Sequence, residues 1–241
     1  MLQKIDFNNI LFLDIETVPE KESFNHLSEK KKTLFATKTA YQRKADKIEA
    51  KDFYDRAGIW AEFGKIICIS VGYFTNIDNK EELRITSFFG EEKDLLLRFK
   101  TLLDSHFNKA NQLLCAHNGK EFDFPFIARR MLIHGISLPN KLNLFGKKPW
   151  EVPHLDTLDL WKFGDYKHYT SLNLLTDILG VPSPKNDIDG SMVAEVYYKE
   201  NDLERIVKYC EKDTIAVAQV LLRLANKPLI ENSRIMIIPQ E

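Results

Sequence analysis

Near its start the chain reads Asn9-Ile10-Leu11-Phe12-Leu13-Asp14-Ile15-Glu16-Thr17-Val18-Pro19, an apolar run that drives into two carboxylates one residue apart. Such a run suits a strand buried on both faces, and the proline ends it. Because only Ile15 separates Asp14 from Glu16, a strand projects both acids from the same face. Side by side and desolvated, they repel each other at a cost on the order of several kcal/mol unless a cation compensates. A solvated strand end before a turn is the plainer reading of an isolated Asp-x-Glu. The choice depends on whether the chain brings further carboxylates to the same point.

The 241 residues, 44% of them apolar, are enough for one large α/β domain spanning residues 1–241. No apolar run is long enough to cross a bilayer and no signal-peptide core opens the chain, so no membrane partner is expected. Cys68, Cys115 and Cys210 stand far apart, which argues against a disulfide framework or a cysteine zinc site and makes a reducing, cytoplasmic location the expectation. With a net charge of −1, affinity for phosphates has to come from a local patch or a metal ion.

A local patch exists. Between Lys30 and Lys51 eight basic residues face two acids, in a polar, mostly helical insertion at about 20–58. It is either a solvated helical face or a surface for a phosphate backbone. Phe35, Tyr41, Phe53 and Tyr54 are interleaved with it, as packing or base-stacking residues. Strands are expected at Lys65–Phe74 and Leu83–Phe89, joined by a turn at Asn76–Asn79, then at Gln112–Ala116 and His154–Leu158. Helices are expected over Glu91–Phe107, Phe122–His134, Ser171–Leu179, Ser191–Glu200 and from the cap Asp202 to about Ala225. Loops fall at Gly164–Tyr169 and before Gly190, and Ile235–Pro239 reads as an extended segment docked on the body. This order implies a mixed sheet of about five strands flanked by helices, α/β in class.

The last helix bears on the opening motif. Tyr209 and Asp213 are four residues apart, stacked on the flank of its apolar stripe where it meets the sheet. Asp123 opens an earlier helix after the turn His117-Asn118-Gly119, and Pro125 fits only in that helix's first turn. Each feature alone has an ordinary explanation, a solvated flank or an acid offsetting a helix dipole. Together, the four acids make a hard-oxygen ligand set for two divalent cations, Mg²⁺ or Mn²⁺. In that arrangement Asp14 bridges the ions, Glu16 and Asp213 complete one and Asp123 holds the second through water. Tyr209 orients the attacking water or helps deprotonate it.

These motifs carry a family resemblance. Leu13-Asp14-Ile15-Glu16-Thr17, His117-Asn118-Gly119-Lys120-Glu121-Phe122-Asp123 and Tyr209-Cys210-Glu211-Lys212-Asp213 resemble, in order and spacing, the three motifs of the DEDD superfamily of 3′–5′ exonucleases, in the subgroup with a tyrosine in the third motif. Glu62 to Ser70 and Ser171 to Pro182 are similar to the proofreading exonuclease domain of family-B DNA polymerases. The resemblance spans about residues 9–225. It implies a ribonuclease-H-like fold and metal-dependent release of nucleotides from the 3′ end of single-stranded DNA, with Asn118, Phe122 and Thr17 seating the terminal nucleotides. It also implies that any proofreading or repair role involves a separate polymerase or repair partner. The alternatives are an exoribonuclease of the ribonuclease D type and a catalytically silent nucleic-acid-binding module; none of the carboxylates whose loss would mark the latter is missing.

Overall fold

The computed structural model describes residues 2, 5–45, 47–77, 80–165, 169–182 and 187–239. Among them, six strands form one mixed sheet: β1 (Ile10–Pro19), β2 (Gly64–Ile77), β3 (Lys80–Phe89), β4 (Leu113–Ala116), β5 (Leu155–Asp156) and β6 (Ile235–Ile237), in the order β5-β4-β1-β2-β3-β6. β1 runs antiparallel to β2 and parallel to β4, and β2 and β3 form an antiparallel hairpin. The sixth strand is the C-terminal apolar segment, which pairs with β3 at the edge of the sheet rather than merely resting on the body. Asp78 and Asn79 of the expected hairpin turn, residues 166–168 of the Tyr- and His-rich loop and residues 183–186 of the later loop lie outside the described residues.

The helices are α1 (Glu29–Lys44), α2 (Glu92–His106), α3 (Asp123–Ile133), α4 (Thr157–Lys162), α5 (Leu172–Ile178), α6 (Val193–Glu195), which passes into a π-helical turn at Val196–Glu200, and α7 (Leu203–Leu224). Two differ from the sequence expectation. The strand expected at His154–Leu158 shrinks to two residues because the Asp156 carboxylate accepts from the Leu158 and Asp159 amides and caps α4. The helix expected from Ser191 begins only at Val193 and widens into the π turn, ending at Asn201 in the left-handed region.

Alternation along β1 divides the core. Leu11, Leu13 and Ile15 pack with Leu96, Phe99, Phe126 and Ile127 of α2 and α3. Ile10 and Phe12, on the opposite face, pack with Val217 and Leu221 of α7. The opening carboxylates share that second face, beneath α7. α3 is fixed from behind by a buried network: the Arg130 guanidinium donates to Glu92 and to the Ala61 carbonyl, and Glu92 also accepts the Ile66 amide. Among the described residues no helix is long and apolar enough to cross a membrane.

The insertion has a small core of its own, in which Phe35, Phe53 and Tyr54 are buried with Leu27 and Phe63. It returns to β1 through a 3-10 turn, Tyr54–Ile59, pressed so close that a Cβ on Gly58 would stand 3.2 Å from the Val18 carbonyl carbon.

Candidate active site

β4 stops at Ala116 and pairs with β1 only as far as Phe12 opposite Cys115. Asp14 and Glu16 therefore lie on a stretch of β1 that continues past the end of its parallel neighbour. Glu16 is buried and Asp14 keeps partial exposure. A register shift between Glu16 and Thr17 ends the regular ladder with β2 there, and the Thr17 hydroxyl donates to the Gly58 carbonyl at 2.9 Å.

Beyond β4 the chain reverses through His117-Asn118-Gly119. Asn118 adopts a left-handed φ of 63°, and a Cβ on Gly119 would stand 2.4 Å from that of Ala116, so this pair suits the turn sterically. Asp156 locks it, accepting from the Asn118 amide at 2.9 Å and the Lys120 amide at 3.0 Å. The His117 ring bridges Thr157 and the Thr170 carbonyl. The turn delivers Asp123 to the first position of α3, 3% exposed, where its carboxylate accepts from its own amide and from that of Ile15. The second-motif acid is thus tied to β1 between Asp14 and Glu16. Phe122 caps α3, its ring 5.4 Å from that of Phe126.

α7 closes the site from the other side. Asp202 caps it by accepting the Arg205 amide, and Thr214 and Cys210 reach the sheet, the thiol lying 3.4 Å from both the Asp14 carbonyl and its carboxylate. Tyr209, on the flank, donates its hydroxyl to Asp213. Ligand atoms of Asp14, Glu16 and Cys210 lie within 4.8 Å of one another. Asp123 and Asp213 stand outside that tight group, yet both act electrostatically on Asp14 and Glu16.

Burial raises the Asp14 and Glu16 pKa values well above the carboxylate range, and neighbouring negative charges add to it: Glu16, Asp213 and Asp123 for Asp14, and Asp213 and Asp123 for Glu16. Asp123 is pushed up to about 8, chiefly by burial and also by Asp156, against the opposing pull of its two amide donors. Burial, then Asp213, Glu16 and Asp14, raise the Tyr209 phenol, so that it is a hydrogen-bond donor here. Among the described residues, no lysine or arginine side chain takes part in setting Asp14, Glu16 or Asp123. Carboxylates gathered and mutually repelling in a low-dielectric cleft fit a hard divalent cation.

The structure thus brings Asp14, Glu16, Asp123, Tyr209 and Asp213 into one electrostatic cluster, with Asn118 and Phe122 on the α3 side of it and Thr17 beyond the register shift. Two neighbours escaped the sequence reading. Asp156 was legible as an acid preceding a short helical run, an N-cap signal that a strand assignment concealed. Tyr169, its ring 6.4 Å from His117, lies close enough to Asp123 and Asp156 for both to raise its pKa, after burial. Only the Tyr- and His-rich composition of its loop marked it.

Comparison with known proteins places this geometry. The structure superimposes on the family B DNA polymerase of the hyperthermophilic archaeon Pyrobaculum calidifontis with a TM-score of 0.52 and 17% identity, covering 88% of this chain and 24% of the polymerase. At that identity the likeness is one of fold, a ribonuclease-H-like α/β sheet flanked by helices. A family model described as "Predicted 3'-5' exonuclease related to the exonuclease domain of PolB" matches residues 59–228, more than half of the chain. That stretch includes the turn with Asp123 and the helix with Tyr209 and Asp213, while β1 lies before it. The chain belongs to this family of predicted 3′–5′ exonucleases related to the exonuclease domain of the PolB polymerases.

Proposed function

We propose that residues 1–241 form one nuclease domain that hydrolyses phosphodiester bonds from the 3′ end of nucleic acid, single-stranded DNA by preference, with two divalent cations. The observation that carries this reading is the convergence of Asp14, Glu16, Asp123 and Asp213, from a strand and two helices, with Asp14 and Glu16 raised by burial and by the negative charge of the others. These four acids would hold the cations, Mg²⁺ or Mn²⁺. Bound there, divalent cations would acidify water and stabilise charge on the scissile phosphate and the departing 3′-oxygen.

The chain's own residues do the rest. Tyr209, held by its bond to Asp213, positions the attacking water by hydrogen bonding. Asn118, in its left-handed turn conformation, and Phe122, at the mouth of α3, seat the terminal nucleotides. The Thr17 hydroxyl proton is committed to Gly58, so toward a substrate 3′-hydroxyl it offers its oxygen as acceptor. Relation to a polymerase-associated domain supports a nucleic-acid substrate and a polymerase or repair partner acting in trans.

The test compares 3′-labelled with 5′-labelled DNA and RNA oligonucleotides in Mg²⁺ and Mn²⁺. Stepwise release of mononucleotides from the 3′ end, faster on DNA, is expected, and Asp14→Ala should abolish it. Full activity in that variant would refute the metal-dependent mechanism. Faster turnover of RNA would move the substrate to the ribonuclease D type. Tyr209→Phe should slow cleavage with metal affinity nearly unchanged.

A further inference from the structure

A cavity of about 400 Å³ opens between α3, α4 and the irregular segment 138–152, on the outer side of the turn that sets Asp123. Its floor is apolar, formed by Phe124, Leu132, Leu142 and Leu144, with the largely exposed ring of Phe145 at the mouth. Four cations stand around it, Lys120, Arg129, Lys147 and Lys162, together with the acids Glu121, Asp156 and Asp159. Lys120 and Lys162 already face Asp159, at 3.1 and 3.8 Å. Arg129 and Lys147 have no carboxylate within 4.0 Å among the described residues. The cavity also reaches Asn118 and Asp156, and so is continuous with the second-motif turn.

We infer that this cavity holds one nucleotide of the substrate strand upstream of the scissile linkage, its base against Leu142, Leu144 and Phe145 and its flanking phosphates at Arg129 and Lys147. The inference rests on the exonuclease reading. An apolar floor with an aromatic edge accepts the π-face of any base, which is how sequence-independent single-strand binding works. Arg129 acts on Glu62 only from beyond ion-pair distance, and cations at the rim of an apolar pocket without a close carboxylate select an anion-bearing ligand over an apolar peptide. The volume lies at the small end for ligand sites and suits one nucleoside. Continuity with Asn118 puts the cavity on a path leading from the terminal nucleotide.

The experiment uses the full chain. Arg129→Glu/Lys147→Glu should weaken binding of a thymidine oligonucleotide in EDTA by about tenfold and reduce its salt dependence. Turnover of the p-nitrophenyl ester of thymidine 5′-monophosphate, which has no upstream nucleotide, should remain at the wild-type rate and so report an intact fold and centre. In wild-type protein, single abasic residues scanned upstream from the 3′ end should weaken binding at one position, and Leu144→Ala/Phe145→Ala should erase that position dependence. Wild-type binding by the charge-reversed variant, or a flat abasic scan, overturns the assignment. A wild-type protein inert toward both the ester and oligonucleotides would instead overturn the exonuclease reading.

Discussion

Asp156 acts at one remove from the carboxylate cluster, through backbone amides. One of its oxygens accepts from Asn118, Leu158 and Asp159 and the other from Lys120. Asp156→Ala would strand several partly buried donors and should cost about 2–4 kcal/mol, read as a lower melting temperature, together with slower cleavage as Asp123 loses its register. Asp156→Asn keeps one acceptor oxygen and should fall between the two. His154 offers a test by pH. Its Nδ1 accepts the Leu114 amide and its Nε2 donates to the Lys141 carbonyl, so the fold needs it neutral, and burial lowers its pKa to about 4 from 6.5. Between those values the unfolded chain binds a proton that the folded chain refuses. The contribution is complete above pH 6.5 and is lost as pH falls toward 4. Because the buried carboxylates act with the opposite sign over this range, the loss is read as a difference: in thermal melts from about pH 7 to 4.5 the advantage of wild type over His154→Gln should shrink as pH falls.

Among the elements, α7 was the most legible and the basic insertion the least. The Asp202 cap, the apolar stripe and the four-residue spacing of Tyr209 and Asp213 are local properties, and the helix follows them from Leu203 to Leu224. The insertion's charges and rings, by contrast, acquire their roles only from tertiary contacts. Three of its four singled-out aromatics are packing residues, leaving Tyr41, 87% exposed, for any base. Lys31 pairs with Glu20, Lys32 with Glu29 and Lys38 with Glu62, while Arg43 donates to backbone carbonyls. A phosphate-contact role therefore falls to Lys30 and Lys44 on the exposed face of α1 and to the exposed Lys47 and Lys51 after it. Lys30→Glu/Lys44→Glu should weaken single-strand binding and lower its salt slope by about two, with a smaller effect from Lys31→Ala/Lys32→Ala, as measured by fluorescence anisotropy across a salt series. Equal effects would favour a merely solvated face.

For the molecule as a whole, convergence of distant acids was readable as pattern but not as geometry. The Asp-x-Glu strand, the turn acid and the last helix could be placed in order from sequence. That β4 ends early, that Asp123 bonds Ile15 and that Cys210 lies against Asp14 are outcomes of sheet register. The energetic consequence is global. Asp123 titrates near 8 folded and near 3.8 unfolded, so across that window the metal-free fold loses stability as pH rises, and a divalent cation removes the penalty. Mg²⁺ or Mn²⁺ should therefore raise the melting temperature more at about pH 8.5 than at about pH 5, and Asp14→Ala/Asp213→Ala should abolish the difference.

The cluster draws its first acids from β1 and its last from α7, with most of the chain between them. A ribosome makes those parts in that order, and the residues of the β1–β2 and β1–β4 pairings are all synthesised before α7, which covers one face of the sheet. Tyr209 and Asp213 reach the centre only once α7 has left the exit tunnel. On the exonuclease reading, a nascent chain that ends before α7 would lack Tyr209 and Asp213 and could not cleave.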